Sequence, residues 1–278
     1  MHYTLPLLLS LTFCFAAQSL ALRAVGGKTN KSESNFFSSI ARIQTGVRDQ
    51  PEIMLLGSSM TGRFPDRTVG FKGIANLGCD GGNALDTLRA MDQGILPTAP
   101  VLVIEGNTFY RSLGGQVSET SRAIHSAWFR IGTRFPSFGA TARPAAFAYS
   151  KLLAGKIGQA EGPQGPILQV PAEAAIPVTE HPLPANAEAL ASETVGILDR
   201  LRQKNIRLMM VILPPGAAED SLNIRIPKAL SAQSGVPLLD LTAGLTADAV
   251  HYTDGVHMAP ASAAAALRTI LSALGKMQ

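Results

Sequence analysis

The sequence predicts an α/β fold built on a parallel sheet with helices on both faces. Apolar, β-branched runs occur at 53–56, 101–106, 206–216 and 236–242. None alternates strictly between apolar and polar residues, so each is read as a strand buried on both faces, as in parallel sheets. Helical patterns begin at Gly82, Asn186, Ala218 and Ala259. Strands alternating with helices of this length wind a doubly covered sheet.

The elements follow in order. Residues 1–21 contain no Asp, Glu, Lys or Arg, and LPLLLSLTFCFAA leads to the small-residue site Ser19-Leu20-Ala21. This segment is similar to a secretory signal peptide and predicts export to a periplasm or the cell exterior. Its leader has only the terminal amine and His2 for charge, which leaves membrane association through an uncleaved anchor as the alternative. The apolar stretch is short beside the roughly 20 residues of a spanning helix. Lipid attachment at Cys14 is disfavoured by the bulky Phe13. If residues 1–21 are removed, the formal charge stays at +4 and Cys79 is the one remaining cysteine. Stability then rests on a core rather than on an intrachain disulfide.

Residues 22–50 read as a polar linker and an amphipathic first helix closed by Pro51, and 51–278 as the folded domain. With 278 residues, 46% apolar and 16% charged, the chain has material for one large α/β domain or two small ones. Lysines and arginines are scattered, with no basic run, which argues against a nucleic-acid partner. From about 110 to 185 the alternation breaks down into irregular, Pro/Gly-rich sequence. We read it as an insertion flanking the active site, because it starts just after the 101–106 strand; a solvent-exposed excursion without a role is the plainer alternative.

Four short segments carry chemistry: Gly57-Ser58-Ser59 after the first strand, NLGCDGG from Asn76, EGNTF at the end of the 101–106 run, and DGVH, which holds Asp254 and His257, before the last helix. The glycines of the second segment allow backbone N–H groups to face an anion. Taken singly, Ser59 is a helix cap, Asn107 a turn residue, Asp254 with His257 a capping pair and Cys79 a small packed residue. Taken together, they supply what nucleophilic catalysis requires: a hydroxyl, a base to take its proton, a carboxylate to fix the base's tautomer, and donors for an oxyanion.

The order and spacing of the segments resemble those of the SGNH, or GDSL-like, serine hydrolases, over essentially the whole chain after residue 21. The resemblance implies a three-layer α/β/α, flavodoxin-like doubly wound sheet. It implies Ser59 as nucleophile with Ser58 in place of the usual Asp, Asp254 and His257 completing a triad, and Gly81 and Asn107 as oxyanion donors, with Gly78 as fallback for Gly81. The family's Asp after Asn107 is absent, since Thr108 stands there. The Gly-Ser-Ser variant is similar to polysaccharide O-acetyltransferases and acetylesterases of the family, so an acylated carbohydrate is the expected substrate. The alternatives are a catalytically silent carbohydrate-binding scaffold, or a lipase or thioesterase whose acyl pocket is lined by Trp128, Phe129, Phe135 and Phe138. Arg63 and Arg111 follow strands by a few residues and are candidate sugar-binding groups. No cofactor is expected. His125, His181 and His251 lack metal-ligand spacing, so no metal site is expected either.

Overall fold

Five strands, β1 (Ile53–Leu56), β2 (Ile74–Asn76), β3 (Val101–Glu105), β4 (Arg207–Ile212) and β5 (Leu238–Asp240), pair in parallel in the order β2-β1-β3-β4-β5. Ile53 stands opposite both Ile74 and Val101, Val101 opposite Arg207, and Met210 opposite Leu238. The computed structural model describes residues 4–24, 34–115, 117–143, 145–146, 162–169, 183–243 and 249–276. Its helices are α1 (Thr4–Ala24), α2 (Asn35–Gly46), α3 (Ala84–Asp92), α4 (Glu119–Ile124), α5 (Ala127–Arg134), α6 (Ala185–Gln203), α7 (Leu222–Ser234) and α8 (Pro260–Lys276).

Successive side chains along a strand point to opposite faces, and the core divides accordingly. Met54, Leu56, Leu102, Ile104, Leu208 and Met210 pack with residues of α2, α3, α6 and α7, whereas Leu55, Val103, Met209 and Val211 pack with α8. The second face is covered closely because α8 presents Ala263, Ala264 and Ala266, all fully buried. The fold is thus a three-layer α/β/α arrangement around a doubly wound parallel sheet. This strand order puts the ligand-binding edge at the C-terminal ends of the strands.

Four features differ from the sequence expectations. β2 has only three residues and belongs to none of the apolar runs. β5 is half-exposed along its length, as an edge strand is, rather than buried on both faces. The insertion is irregular only in part, since 119–134 forms α4 and α5, each started by a serine cap, Ser118 and Ser126. Of its Pro/Gly-rich part, 147–161 and 170–182 lie outside the described residues. Residues 162–169 run along α8, where Arg268 donates to the carbonyls of Gly162 and Pro166. Finally, the apolar N-terminal segment forms a helix of 21 residues, and its window Thr4–Ala21 is long and apolar enough to cross a membrane.

Candidate active site

The β1 strand ends at Leu56, and the chain turns through Gly57, Ser58 and Ser59 into a short 3-10 turn, Thr61–Arg63. β2 ends beside it, and the two following turns stay in register: Ser58 bridges Cys79 in parallel, and the Cys79 N–H donates to the Gly57 carbonyl at 2.8 Å. Gly78 is required by crowding, because a Cβ there would collide with the Gly62 backbone and the Ser58 carbonyl. Gly81 is required by conformation instead, with φ at +78° and open space around it.

The third segment lies far along the chain. Residues 251–259 form a tight loop before α8, closed by Thr253 N–H to the His257 carbonyl and by Ala259 N–H to the His251 carbonyl, each 2.8 Å. Within it Asp254 Oδ1 accepts from the backbone N–H groups of Val256 and His257, with Gly255 at the corner in a left-handed conformation, φ +77°. Asp254 Oδ2 lies 2.7 Å from His257 Nδ1, and His257 Nε2 lies 2.8 Å from Ser59 Oγ. An Nδ1–H shared with Asp254 leaves Nε2 to accept the Ser59 proton. The His257 backbone N–H, and after it the imidazole, hold the Asp254 carboxyl down at about 2. It is therefore an acceptor throughout the neutral range. His251, the rival base, is exposed; its backbone N–H donates to Ser262, and it takes no part in the triad.

The oxyanion candidates are placed unequally. The backbone N–H groups of Ser59 and Gly81 make no hydrogen bond among the described residues. The Gly78 N–H is committed to Asn76 Oδ1 at 2.8 Å, which removes the fallback donor. The Asn107 side chain pairs with one residue of the neighbouring strand end, Nδ2 donating to the Leu213 carbonyl at 2.8 Å and Oδ1 accepting the Leu213 N–H at 2.7 Å. Only one of its two amide hydrogens is left for an oxyanion.

Beneath the nucleophile turn sits a group the sequence reading passed over. Glu105, the last residue of β3, is 1% exposed. Its Oε2 accepts from Ser58 N–H at 2.8 Å, Thr61 N–H at 3.2 Å and Thr61 Oγ1 at 2.7 Å, while Oε1 accepts from Ser58 Oγ at 2.8 Å and Thr108 Oγ1 at 2.9 Å. Ser58 Oγ accepts in turn from Met60 N–H. A Cβ on Gly57 would strike both Glu105 and Thr61, so the glycine admits the carboxyl to the turn. The signal for it was a lone charged residue closing an otherwise apolar strand.

Arg63 and Arg111 both lie beyond strand ends on this edge. Arg63 is half-buried, with its Nε buried and unpaired, and Arg111 is exposed and donates to the Gly82 carbonyl at 3.4 Å. The four aromatic residues of the insertion do not act as a set. Phe129 is buried against α2, whereas Trp128 and Phe138 border a cavity shared with α1 that touches none of Ser59, Asp254 or His257. Cys79 is buried, and burial pushes its thiol well above its ordinary value, so it is no rival nucleophile. No cluster of three His, Cys, Asp or Glu suited to a metal occurs among the described residues.

Ser59, His257 and Asp254, drawn from two loops at the C-terminal edge of a parallel sheet, are thus joined in one hydrogen-bonded line. Comparison with family models, with curated proteins and with solved structures finds no match to this chain.

Proposed function

We propose that this chain is an exported serine esterase or O-acyltransferase of the SGNH type that acts on O-acyl groups, chiefly acetyl, of a carbohydrate. The observation that carries this reading is the chain of contacts from Asp254 through His257 to Ser59, two hydrogen-bond lengths spanning residues 198 positions apart. In the reaction, Ser59 Oγ attacks the acyl carbon while His257 Nε2 takes its proton. The tetrahedral oxyanion is met by the Ser59 and Gly81 N–H groups and the free Asn107 amide hydrogen. Collapse expels the alcohol, which leaves with the proton from His257, and the acyl group stays on Ser59. Water attacking that ester gives hydrolysis, and a sugar hydroxyl gives transfer. Export is supported by the apolar helix α1, and a carbohydrate acceptor by the Gly-Ser-Ser turn.

The test is labelling with a fluorophosphonate, which reacts with activated serines, followed by kinetics on p-nitrophenyl esters of increasing chain length. The wild type should label and prefer acetyl, and Ser59→Ala should do neither. Absence of labelling in the folded wild type would favour a silent scaffold. A preference for long chains would favour a lipase or thioesterase.

A further inference from the structure

Away from the triad, α5 presents two different sides. Phe129 and Gly132 face α2, where the Gln44 amide donates to the Phe129 carbonyl at 3.0 Å. The neighbouring side is partly open: Trp128, Ile131, Phe135 and, in the next turn, Phe138 are 38%, 48%, 55% and 53% exposed, and the Trp128 ring meets Phe37 of α2 edge-on with centroids 6.4 Å apart. Arg130 and Arg134 stand one helical turn apart on the other flank of the helix, bordering a hollow with Arg48 and Asp49, exposed and in no ion pair among the described residues. Residues 117–143 contain four arginines against one acidic residue, Glu119. The composition is that of a helix lying at an anionic lipid surface, with aromatic and aliphatic groups reaching the acyl boundary and arginines meeting headgroups.

What lies next to the strip identifies its occupant. The second half of α1 rests against it: the Phe15 ring stands 5.1 Å from the Phe138 ring, Ser19 Oγ is 3.1 Å from Ser137 Oγ, and Gln18 donates to the Ala142 carbonyl. No residue of the apolar window of α1, Thr4–Ala21, is fully buried, and only Gln18 and Ser19 are partly covered. If such a helix enters a bilayer, the parts of the body touching its last turns are held near headgroup depth, where Trp and Arg are favoured.

We propose that Trp128, Ile131, Phe135 and Phe138, with Arg130 and Arg134, form a foot that seats on an anionic bilayer beside α1. The foot is independent of the chemistry proposed for Ser59. Trp128 is the chain's one tryptophan, so its emission reports on the site directly. The full chain is reconstituted in vesicles of phosphatidylcholine and phosphatidylglycerol. Trp128 should shift to the blue, become several-fold less accessible to acrylamide, and be quenched by lipids brominated near the headgroup end of their chains. Arg130→Gln with Arg134→Gln, or vesicles of phosphatidylcholine alone, should restore acrylamide access while the protein still floats with the vesicles through α1, since each arginine near an anionic surface favours contact by about fivefold. Unchanged acrylamide access in vesicles, or failure of the chain to associate with them, overturns the foot. So does a blue shift without quenching by brominated lipid, which would mean that protein, not lipid, covers Trp128. An equal response in charged and neutral vesicles overturns the assignment to anionic lipid.

Discussion

Replacing Glu105 tests what holds the nucleophile turn in place. Two of its five donors, the N–H groups of Ser58 and Thr61, belong to the backbone of the turn and cannot rotate away. The other three are hydroxyls, which can accept as readily as donate. Glu105→Gln can therefore keep an oxygen at the Oε2 position and turn its NH2 toward Ser58 Oγ and Thr108 Oγ1. The loss is the exchange of a carboxyl for an amide oxygen at two backbone donors, about 1–3 kcal/mol in all. Glu105→Ala instead leaves both buried N–H groups without an acceptor, about 1–3 kcal/mol each, and adds a cavity. The expected order of stability in urea unfolding followed by circular dichroism is wild type, then Gln, then Ala, with a gap of at least about 2 kcal/mol between the variants. On folded protein, the fluorophosphonate rate should fall by less than about tenfold in Glu105→Gln and by more than about a hundredfold in Glu105→Ala, corresponding to roughly 1.4 and 2.7 kcal/mol of displaced serine geometry. An alanine variant as stable and as reactive as the glutamine variant would refute this account.

The other predictions rest on the same geometry. Ser58→Ala, which removes one of five donors to Glu105 and the acceptor for Met60 N–H, should keep measurable turnover; if it is silent while Ser59→Ala is active, the nucleophile is the other serine. His257→Ala should lower ester turnover by about a hundredfold or more and His251→Ala should leave it nearly unchanged, read as kcat at neutral pH. Because Asp254 is held near 2 in the folded chain against an ordinary value of about 3.9, its contact with His257 favours the folded loop above about pH 4 and loses that effect as the pH falls through about 2. Amide exchange in the 251–259 loop should quicken in that window in the wild type, and Asp254→Asn should show no such change. Arg63→Ala or Arg111→Ala should weaken use of an acetylated polysaccharide while sparing a small acetyl ester; equal effects on both substrates would make these arginines structural.

How much of this was legible in the sequence depended on the length of the signal. β1, β3 and β4 are continuous apolar runs buried on both faces and could be read directly, as could α6 and α8 from their periodicity. β2 could not, because three residues make no pattern, and its pairing with β1 is set by Ile53 and Ile74 lying opposite each other. α5 was hidden by its own surface, since Ile131 and Phe135 are exposed and spoil the usual polar outer face. The convergence of Ser59, Asp254 and His257 followed from their positions after strands and before a helix. The role of Asn107 in clasping Leu213 required the register of β3 against β4, and the five donors around Glu105 come from segments as far as 47 residues away.

The distance between Ser59 and His257 along the chain also sets an order in time. A chain made from its N-terminus presents the serine turn early, but the imidazole proposed to take the serine's proton arrives 198 residues later. At about 5–20 residues per second, that is a delay of roughly 10–40 s in synthesis, during which the hydroxyl has no base within reach. The loop that carries His257 is also held in place through α8, whose alanine face needs β1, β3 and β4 already assembled beneath it. On the proposed function, reactivity would therefore appear as a late event of maturation, and a partly made chain would have no means of attacking the esters around it.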